Sequence, residues 1–313
     1  MNMRVLVLGG TRFMGPHIVR QLLMDGHQVT LFHRGVTDTD PLPGAERIHG
    51  DRTRLPEYRE QFAALAPEVV LDTWAMTARD GELLVETLRG ITERVVILSS
   101  IDTFRAYGRF VGSEPGDILP TPLTEDSPLR ERLYPYRGEQ PRAADDPLRW
   151  FDDYDKNAVA AAARKQSDLP VTILRLPMTY GPGDRQHRLY PYLTRMDAGR
   201  EVILLDAGSA GWRSTWGYVE NVAAGIALAT TDQRAAGRDY IICDDGAPTL
   251  RQWVEAIGVA AGWTGRVVEL PVERMPAHLQ PMGNVAQDLL ASSARIRSEL
   301  GFREPVSFEE GMR

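Results

Sequence analysis

The sequence predicts an α/β fold: a doubly wound parallel sheet with a smaller C-terminal lobe. Three observations carry that expectation. Short strand-like segments, mostly apolar, recur at 4–8, 29–32, 69–71, 95–98 and 171–176. Segments with helical spacing lie between several of them, at 11–24 and around 81–88. The first run ends in glycines that open directly into a helical pattern. Continuous apolar runs mark strands buried on both faces. Alternation of strand and helix implies right-handed crossovers in a parallel sheet.

The bulk properties set bounds on this reading. A chain of 313 residues suits one large α/β unit, or a nucleotide domain with a second lobe. With 43% hydrophobic and 25% charged residues, disorder throughout is excluded. The net charge of −7 argues against a general nucleic-acid binder, which would carry a basic face. The single cysteine, Cys243, allows no intramolecular disulfide and fits a reducing, cytoplasmic setting. It sits in the apolar run 240–243 and reads as a buried structural thiol. No apolar run approaches the roughly 20 residues that span a bilayer. The N-terminal run is too short for a signal sequence and reads as the first strand. The six histidines show no metal-ligand spacing, so no metal site is expected.

Residues 105–149 break the alternation. They carry seven prolines and many charges and read as an irregular insertion over the ligand edge of the sheet, a mobile cover. A helix is expected at 150–165, and others near 219–230, 249–261 and 287–300. The expected division is a dinucleotide-binding domain at 1–183, containing the 105–149 insertion and rejoined by 213–245. The substrate lobe is then 184–212 with 246–313.

The turn after the first strand reads Gly9-Gly10-Thr11-Arg12-Phe13-Met14-Gly15. A glycine turn between strand and helix lets the backbone approach a pyrophosphate, and the helix N-terminus supplies N–H donors and partial positive charge. Gly9 would make the tight turn and Gly15 would let the helix pack closely on the strand. Arg12 stands where a G-x-x-G-x-x-G pattern has its middle glycine. Gly9, Thr11, Arg12, Phe13, Met14 and Gly15 are therefore the candidate cofactor loop of a Rossmann-type domain. At the end of the second strand, where an acidic residue would hold the ribose 2′-hydroxyl of NAD, the sequence is Phe32-His33-Arg34-Gly35. Arg34, with Arg12, could instead pair with a 2′-phosphate, which favours NADP(H) over NAD(H). Asp51 either accepts a hydrogen bond from adenine or only starts a turn.

These residues bring the chain into resemblance with the extended short-chain dehydrogenase/reductases of the NAD-dependent epimerase/dehydratase type. Its glycine loop resembles that of the family's atypical members. Val96-Ile97-Leu98-Ser99-Ser100 followed by Ile101-Asp102-Thr103-Phe104 resembles the strand and turn bearing the catalytic Ser or Thr. Arg175-Leu176-Pro177-Met178-Thr179-Tyr180-Gly181-Pro182-Gly183 resembles the R-P-x-x-x-Y-G-P-G segment, and Arg213 through Tyr218-Val219-Glu220-Asn221-Val222 a later one. The resemblance implies an NAD(P)-dependent oxidoreductase, epimerase or dehydratase. Its substrate would be a small polar molecule, a nucleotide sugar being the family's usual class. It also implies Tyr180 and Arg213 on the substrate side, and a homodimer. Chloroplast stem-loop-binding proteins share the GGTRF loop, so a noncatalytic dinucleotide-binding regulator or RNA-associated protein is the rival reading.

The family places a catalytic tyrosine four residues before a lysine, on one helical face. The tyrosine relays a proton, the lysine lowers its pKa, and a serine steadies the same substrate oxygen. Ser100, Tyr154 and Lys156 are the candidates here. Tyr154 and Lys156 are only two apart, about 200° around an ideal helix. Either Tyr154 reaches in from an irregular first turn, or Lys156 binds the cofactor ribose and the acid comes from Tyr107, Tyr134 or Tyr136, or the site only binds a dinucleotide. Trp74 either walls the nicotinamide site or belongs to the core.

Overall fold

A computed structural model describes residues 2–36, 42–165, 168–281 and 283–313. Its centre is a seven-stranded, wholly parallel sheet in the order β10-β6-β5-β4-β1-β2-β3. The strands are β1 (Arg4–Leu8), β2 (Gln28–His33), β3 (Glu46–His49), β4 (Val69–Asp72), β5 (Arg94–Ser100), β6 (Val171–Leu176) and β10 (Asp239–Ile241). Every strand expected in the first half is present. The order reverses at β1, which lies between β4 and β2, so the ligand crevice of such a sheet opens beyond the carboxyl ends of β1 and β4.

Alternate strand residues face opposite layers. Val5, Val7, Leu71, Val96 and Leu98 pack beneath α1 (Met14–Met24) and α8 (Val219–Thr231). Leu6, Leu8, Val70, Val95 and Ile97 pack on the other side, against α2 (Arg59–Leu65), α3 (Ala78–Leu88) and α5 (Lys156–Arg164). In the second layer α3 and α5 lie very close: a methyl on Gly81 would meet the Val159 carbonyl at 2.6 Å. The alanine-rich stretch of α5 thus serves close packing within this chain.

A third apolar cluster forms the smaller lobe. It joins β7 (Met178–Tyr180), α6 (Tyr190–Asp197), β8 (Val202–Asp206), α7 (Ala207–Gly211), β9 (Trp216–Tyr218), α9 (Leu250–Ala260), β11 (Arg266–Leu270) and α11 (Phe308–Gly311). In the insertion, α4 (Arg105–Phe110) is helical, and Leu123 packs with Phe104, Ile241, Cys243 and Leu289. Cys243 is buried, and burial pushes its thiol up to about 12.

Three expectations need correction. The helix expected at 150–165 begins only at Lys156, after a 3₁₀ turn at Arg149–Asp152. Asp155 sets that start by accepting the Asn157 and Ala158 amides, an N-cap that satisfies otherwise orphaned donors. The helix expected at 287–300 is only α10 (Ala294–Leu300), because Leu289 and Ala291 bridge to Ser214 and Leu123 as extended chain. Ile296, Leu300 and Phe302 then bury themselves under the central sheet. That stretch leaves the lobe drawn at 246–313 and joins the sheet's core.

Candidate active site

The glycine loop sits at the carboxyl end of β1. Gly9 and Gly10 both have positive φ, 94° and 78°. The Gly10 amide donates to Thr73 Oγ1 at 3.2 Å, and that hydroxyl donates to the Leu8 carbonyl at 2.9 Å, tying the turn to the end of β4. A Cβ on Gly9 would lie 2.3 Å from Thr73 Oγ1, and one on Gly15 would lie 2.3 Å from the Gly10 carbonyl carbon. Phe13, at positive φ, stands at the N-cap of α1 without a side-chain cap bond. The helix expected from Thr11 therefore begins at Met14, and Thr11–Phe13 form the turn. The turn is closed by two near approaches that any side chain on Gly9 or Gly15 would break, and it leads into an N-terminus with no side-chain cap. Those features fit a dinucleotide pyrophosphate.

At the end of β2, the Gly35 amide donates to His33 Nδ1 at 3.1 Å, turning the chain at a Gly35 φ of 70°. The His33 and His49 rings meet edge to face at 5.1 Å. Arg34 is exposed beyond them, as is Arg12. Asp51 accepts from the Thr53 amide at 2.9 Å and starts the following 3₁₀ turn. Those Thr53 bonds and the Arg34 guanidinium hold its carboxyl below the usual range. The fold thus brings a carboxylate from the end of β3 toward Arg34, which the sequence of β2 alone does not show.

The catalytic candidates meet beyond β5. Ser100 caps a 3₁₀ turn at Ile101–Thr103 by accepting the Asp102 amide at 3.1 Å. A hydroxyl that accepts one bond retains its own proton for donation. Asp102 is 5% exposed. Its Oδ2 accepts from the Tyr154 hydroxyl at 2.9 Å and from the Tyr136 hydroxyl at 2.9 Å. Tyr107 lies 3.3 Å from Tyr136, hydroxyl to hydroxyl. Tyr134 plays no part in this cluster: its amide donates to Asp155 and its ring lies against Arg137. Burial and the adjacent Asp102 carboxylate push the Tyr154 phenol well above its ordinary value. Tyr136 is raised for the same two reasons.

Tyr154 lies outside α5, in the irregular stretch before its cap, so the two-residue spacing poses no helical conflict. Lys156, the first residue of α5, is buried. Its Nζ donates to the Ala75 carbonyl at 2.6 Å and the Leu98 carbonyl at 3.0 Å, at the crest between β4 and β5. Desolvation lowers its ammonium to about 8. The expected pairing, in which the lysine lowers the tyrosine, is not what this geometry gives: a carboxylate neighbours the phenol and raises it.

Asp102 lies in the turn that the resemblance covers, but nothing in the sequence assigns it a role. Its only sequence signal is an acid two places past a buried strand, at the ligand edge. Trp150 and Phe151 were passed over; they stack at 4.0 Å beside Tyr154. Trp74 is 51% exposed and faces Trp150 at 5.8 Å, so it belongs to the rim of the crevice and not to the core. The insertion is pinned here. Arg130 donates to the Asp102 carbonyl and to the Arg132 carbonyl and pairs with buried Asp155 at 3.6 Å. These contacts tie the stretch expected as a mobile cover to the edge of the site. Tyr180 and Arg213 are brought together, on a cavity of about 290 Å³ shared with Trp216 and Trp253. The Tyr180 hydroxyl is buried and, among the described residues, has no hydrogen-bond partner; Arg213 is exposed and donates to the Ala247 carbonyl. Among the described residues, no group of three or more His, Cys, Asp or Glu could hold a metal ion. No helix there is long and apolar enough to cross a membrane.

Comparison with known proteins agrees with this fold. The model of the NAD dependent epimerase/dehydratase family matches residues 5–111 and 133–243. The chain is 25% identical over 279 residues to the 2′-dehydrokanamycin reductase of Streptomyces kanamyceticus, covering 87% of this chain and 70% of that protein. It is 28% identical over 298 residues to a 3-diazoavenalumate denitrifying reductase of a Streptomyces species, covering 89% and 86%. In fold it is similar to the Bordetella bronchiseptica enzyme WbmG in complex with NAD, with a TM-score of 0.70 at 17% identity over 100% of this chain and 92% of that one. The chain belongs to the NAD dependent epimerase/dehydratase family and is an NAD(P)-dependent enzyme of its oxidoreductase and epimerase kind.

Proposed function

We propose that the protein is an NADP(H)-dependent reductase that acts on a carbonyl of a small polar molecule, with Tyr154 as the proton donor. The observation that carries this reading is the Tyr154–Asp102 hydrogen bond. A phenol beside a buried carboxylate stays protonated. Its one proton is held by Asp102 here; turned from Asp102 to the substrate oxygen it can be given to a developing alkoxide, whereas the protonated phenol cannot take one from an alcohol. Reduction needs that direction of transfer. Two relatives named as reductases are consistent with it.

The other roles follow from position. Gly9, Thr11, Phe13, Met14 and Gly15 would cradle the pyrophosphate, and Lys156 would hold the nicotinamide ribose with the one ammonium proton its two carbonyl bonds leave over. Arg34 and Arg12 would receive the 2′-phosphate, with Asp51 beside them. When bound, the nicotinamide supplies the hydride. Ser100 would donate to the substrate oxygen, and Trp74 with Trp150 would wall the crevice mouth. Tyr180 and Arg213 would take the remote end of the substrate, beside the smaller lobe that the third apolar cluster forms.

The test is stoichiometry. Carbonyl compounds are offered with NADPH, and product is counted against cofactor consumed. One NADPH per product supports the reading. Product formed with no net cofactor change overturns it in favour of epimerisation or dehydration.

A further inference from the structure

We propose that Tyr107, Tyr136 and Asp102 form a proton relay that reloads Tyr154 from solvent after each turnover. The proposal rests on Tyr154 being the proton donor. It addresses a problem created by that role. Once Tyr154 has given up its proton, a phenolate is left against a buried carboxylate, two negative charges in a low-dielectric site. Lys156 makes no hydrogen bond to Tyr154 among the described residues, since its Nζ is directed at two carbonyls. The connected path runs the other way. Tyr154 meets Asp102 Oδ2 at 2.9 Å, Oδ2 meets Tyr136 at 2.9 Å, and Tyr136 meets Tyr107 at 3.3 Å.

Burial falls along the same path. Tyr154 and Asp102 are buried, while Tyr136 and Tyr107 are half-buried. Asp102 Oδ1 is buried with no hydrogen-bond partner among the described residues, so the carboxylate has acceptor capacity beyond the two phenols on Oδ2. The steps balance. The Tyr154 O–H bond breaks and its proton goes to the substrate oxygen. Tyr136 passes its proton to Asp102 Oδ2. That hydrogen swings about the carboxyl oxygen and is given to the Tyr154 oxygen. Tyr107 passes its proton to Tyr136, and solvent water restores Tyr107. Asp102 ends as it began, and the net event is one proton moved inward. Tyr107 and Tyr136 are positioning residues in this scheme, and neither touches the reacting atoms.

Hydroxyl exchange tests the relay without substrate or cofactor. Tyrosine is labelled with carbon-13 at Cζ, and spectra are taken in equal parts light and heavy water. A hydroxyl that exchanges slowly gives two lines, and a fast one gives a single averaged line. The Tyr154 signal is assigned by its loss in Tyr154→Phe. In the wild type it should be averaged despite burial. In Tyr136→Phe its exchange should slow by about a hundredfold, as expected when a positioned proton carrier is removed. Tyr107→Phe, which removes one hydroxyl at the half-buried end, should slow it as well and serves if Tyr136→Phe disturbs the fold. Unchanged Tyr154 exchange in both variants overturns the relay. A kinetic arm separates the relay from mere support. With the relay cut, the first turnover should keep its wild-type rate and later turnovers should slow, with a larger solvent isotope effect. A slowed first turnover shows a structural role instead and overturns the relay. Wild-type turnover in Tyr154→Phe removes the proton-donor reading and leaves the exchange result standing on its own.

Discussion

The Tyr154 hydroxyl and the Lys156 ammonium are two residues apart in sequence and bound to different parts of the molecule. Tyr154 donates to Asp102 Oδ2 at 2.9 Å, beyond β5. Lys156 donates to the carbonyls of Ala75 and Leu98 at 2.6 and 3.0 Å, between β4 and β5. The cap at Asp155 separates them, since it ends the irregular stretch that carries Tyr154 and begins the helix that carries Lys156. Proton transfer and cofactor binding are therefore separable by mutation.

Tyr154→Phe removes one hydroxyl from a ring packed among Tyr136, Trp150 and Phe151. Turnover should fall about 10²–10⁴-fold, the usual worth of a positioned acid. Cofactor affinity should stay within error of wild type, read by titration of NADPH fluorescence. A variant that keeps full turnover would show Tyr154 to be a packing residue.

Lys156 makes cofactor affinity depend on pH. As an ammonium it has three donors, of which two are committed to Ala75 and Leu98. As a neutral amine it has two, both already engaged, and no charge. Burial lowers its titration to about 8, so the ammonium is present below that pH and lost above it. NADPH should bind more weakly as pH rises through about 8. In Lys156→Met binding should be weaker by about 1.5–3 kcal/mol and flat across the same range. Calorimetric titration at several pH values decides this, and the same pH dependence in Lys156→Met would refute it.

The sheet was legible because its signal is local. Val69-Val70-Leu71 is apolar at every position, and Val171 through Leu176 is apolar except at Thr172 and Arg175 and buried throughout, as a strand covered on both faces must be. The start of α5 was not, because Asp152, Asp153 and Asp155 are all able caps and only the folded chain chooses Asp155. Asp152 instead accepts from the Arg142 amide at 2.8 Å and pairs with Arg142 and Arg149. The site was legible where one turn makes it, as at Gly9 to Gly15. It was hidden where distant segments make it: Asp102 becomes functional through Tyr136, 34 residues on, and Tyr154, 52 residues on. Nothing in the turn Ile101-Asp102-Thr103 states that pairing.

Gly15→Ala tests the cradle. The added methyl would meet the Gly10 backbone at 2.3 Å, and backbone cannot swing aside as a side chain can. The glycine turn must shift, so dinucleotide binding should weaken by about 1–3 kcal/mol, the usual cost of overpacking. Titration of both NADPH and NADH should show equal losses, since the pyrophosphate is common to both. Wild-type affinity for either would count against the loop as the phosphate site.

Arg130→Met tests how firmly the insertion is docked. Arg130 and Asp155 side chains are both fully buried, and Arg130 also holds the Asp102 and Arg132 carbonyls. Removing one partner of a buried pair costs about 3–5 kcal/mol. Asp155 keeps its amide donors from Tyr134, Asn157 and Ala158, which places the expected loss at the lower end. Urea unfolding measures it, and hydrogen exchange should quicken across 105–149. A loss under about 1 kcal/mol, with exchange unchanged, would show that the pair contributes little.

Arg34 should decide the choice between cofactors. It is exposed on a turn that His33 fixes by accepting the Gly35 amide, and it follows the strand end where the ribose of the adenosine half is expected. No acid occupies that strand end, so a 2′-phosphate meets a guanidinium there and not a carboxylate. The opposing group is Asp51, which lies near enough for Arg34 to lower its pKa. NADPH should therefore bind more tightly than NADH. Arg34→Ala should cost NADPH about 1.5–3 kcal/mol, the worth of a charged hydrogen bond, and leave NADH unchanged. Asp51→Ala should act in the opposite direction, strengthening NADPH because a nearby negative charge is removed from the phosphate. The two changes have opposite signs for one cofactor and little effect on the other, which no general loss of folding would imitate. Equal affinities in the wild type, or an Arg34→Ala loss shared by both cofactors, would show that the guanidinium does not read the 2′-position.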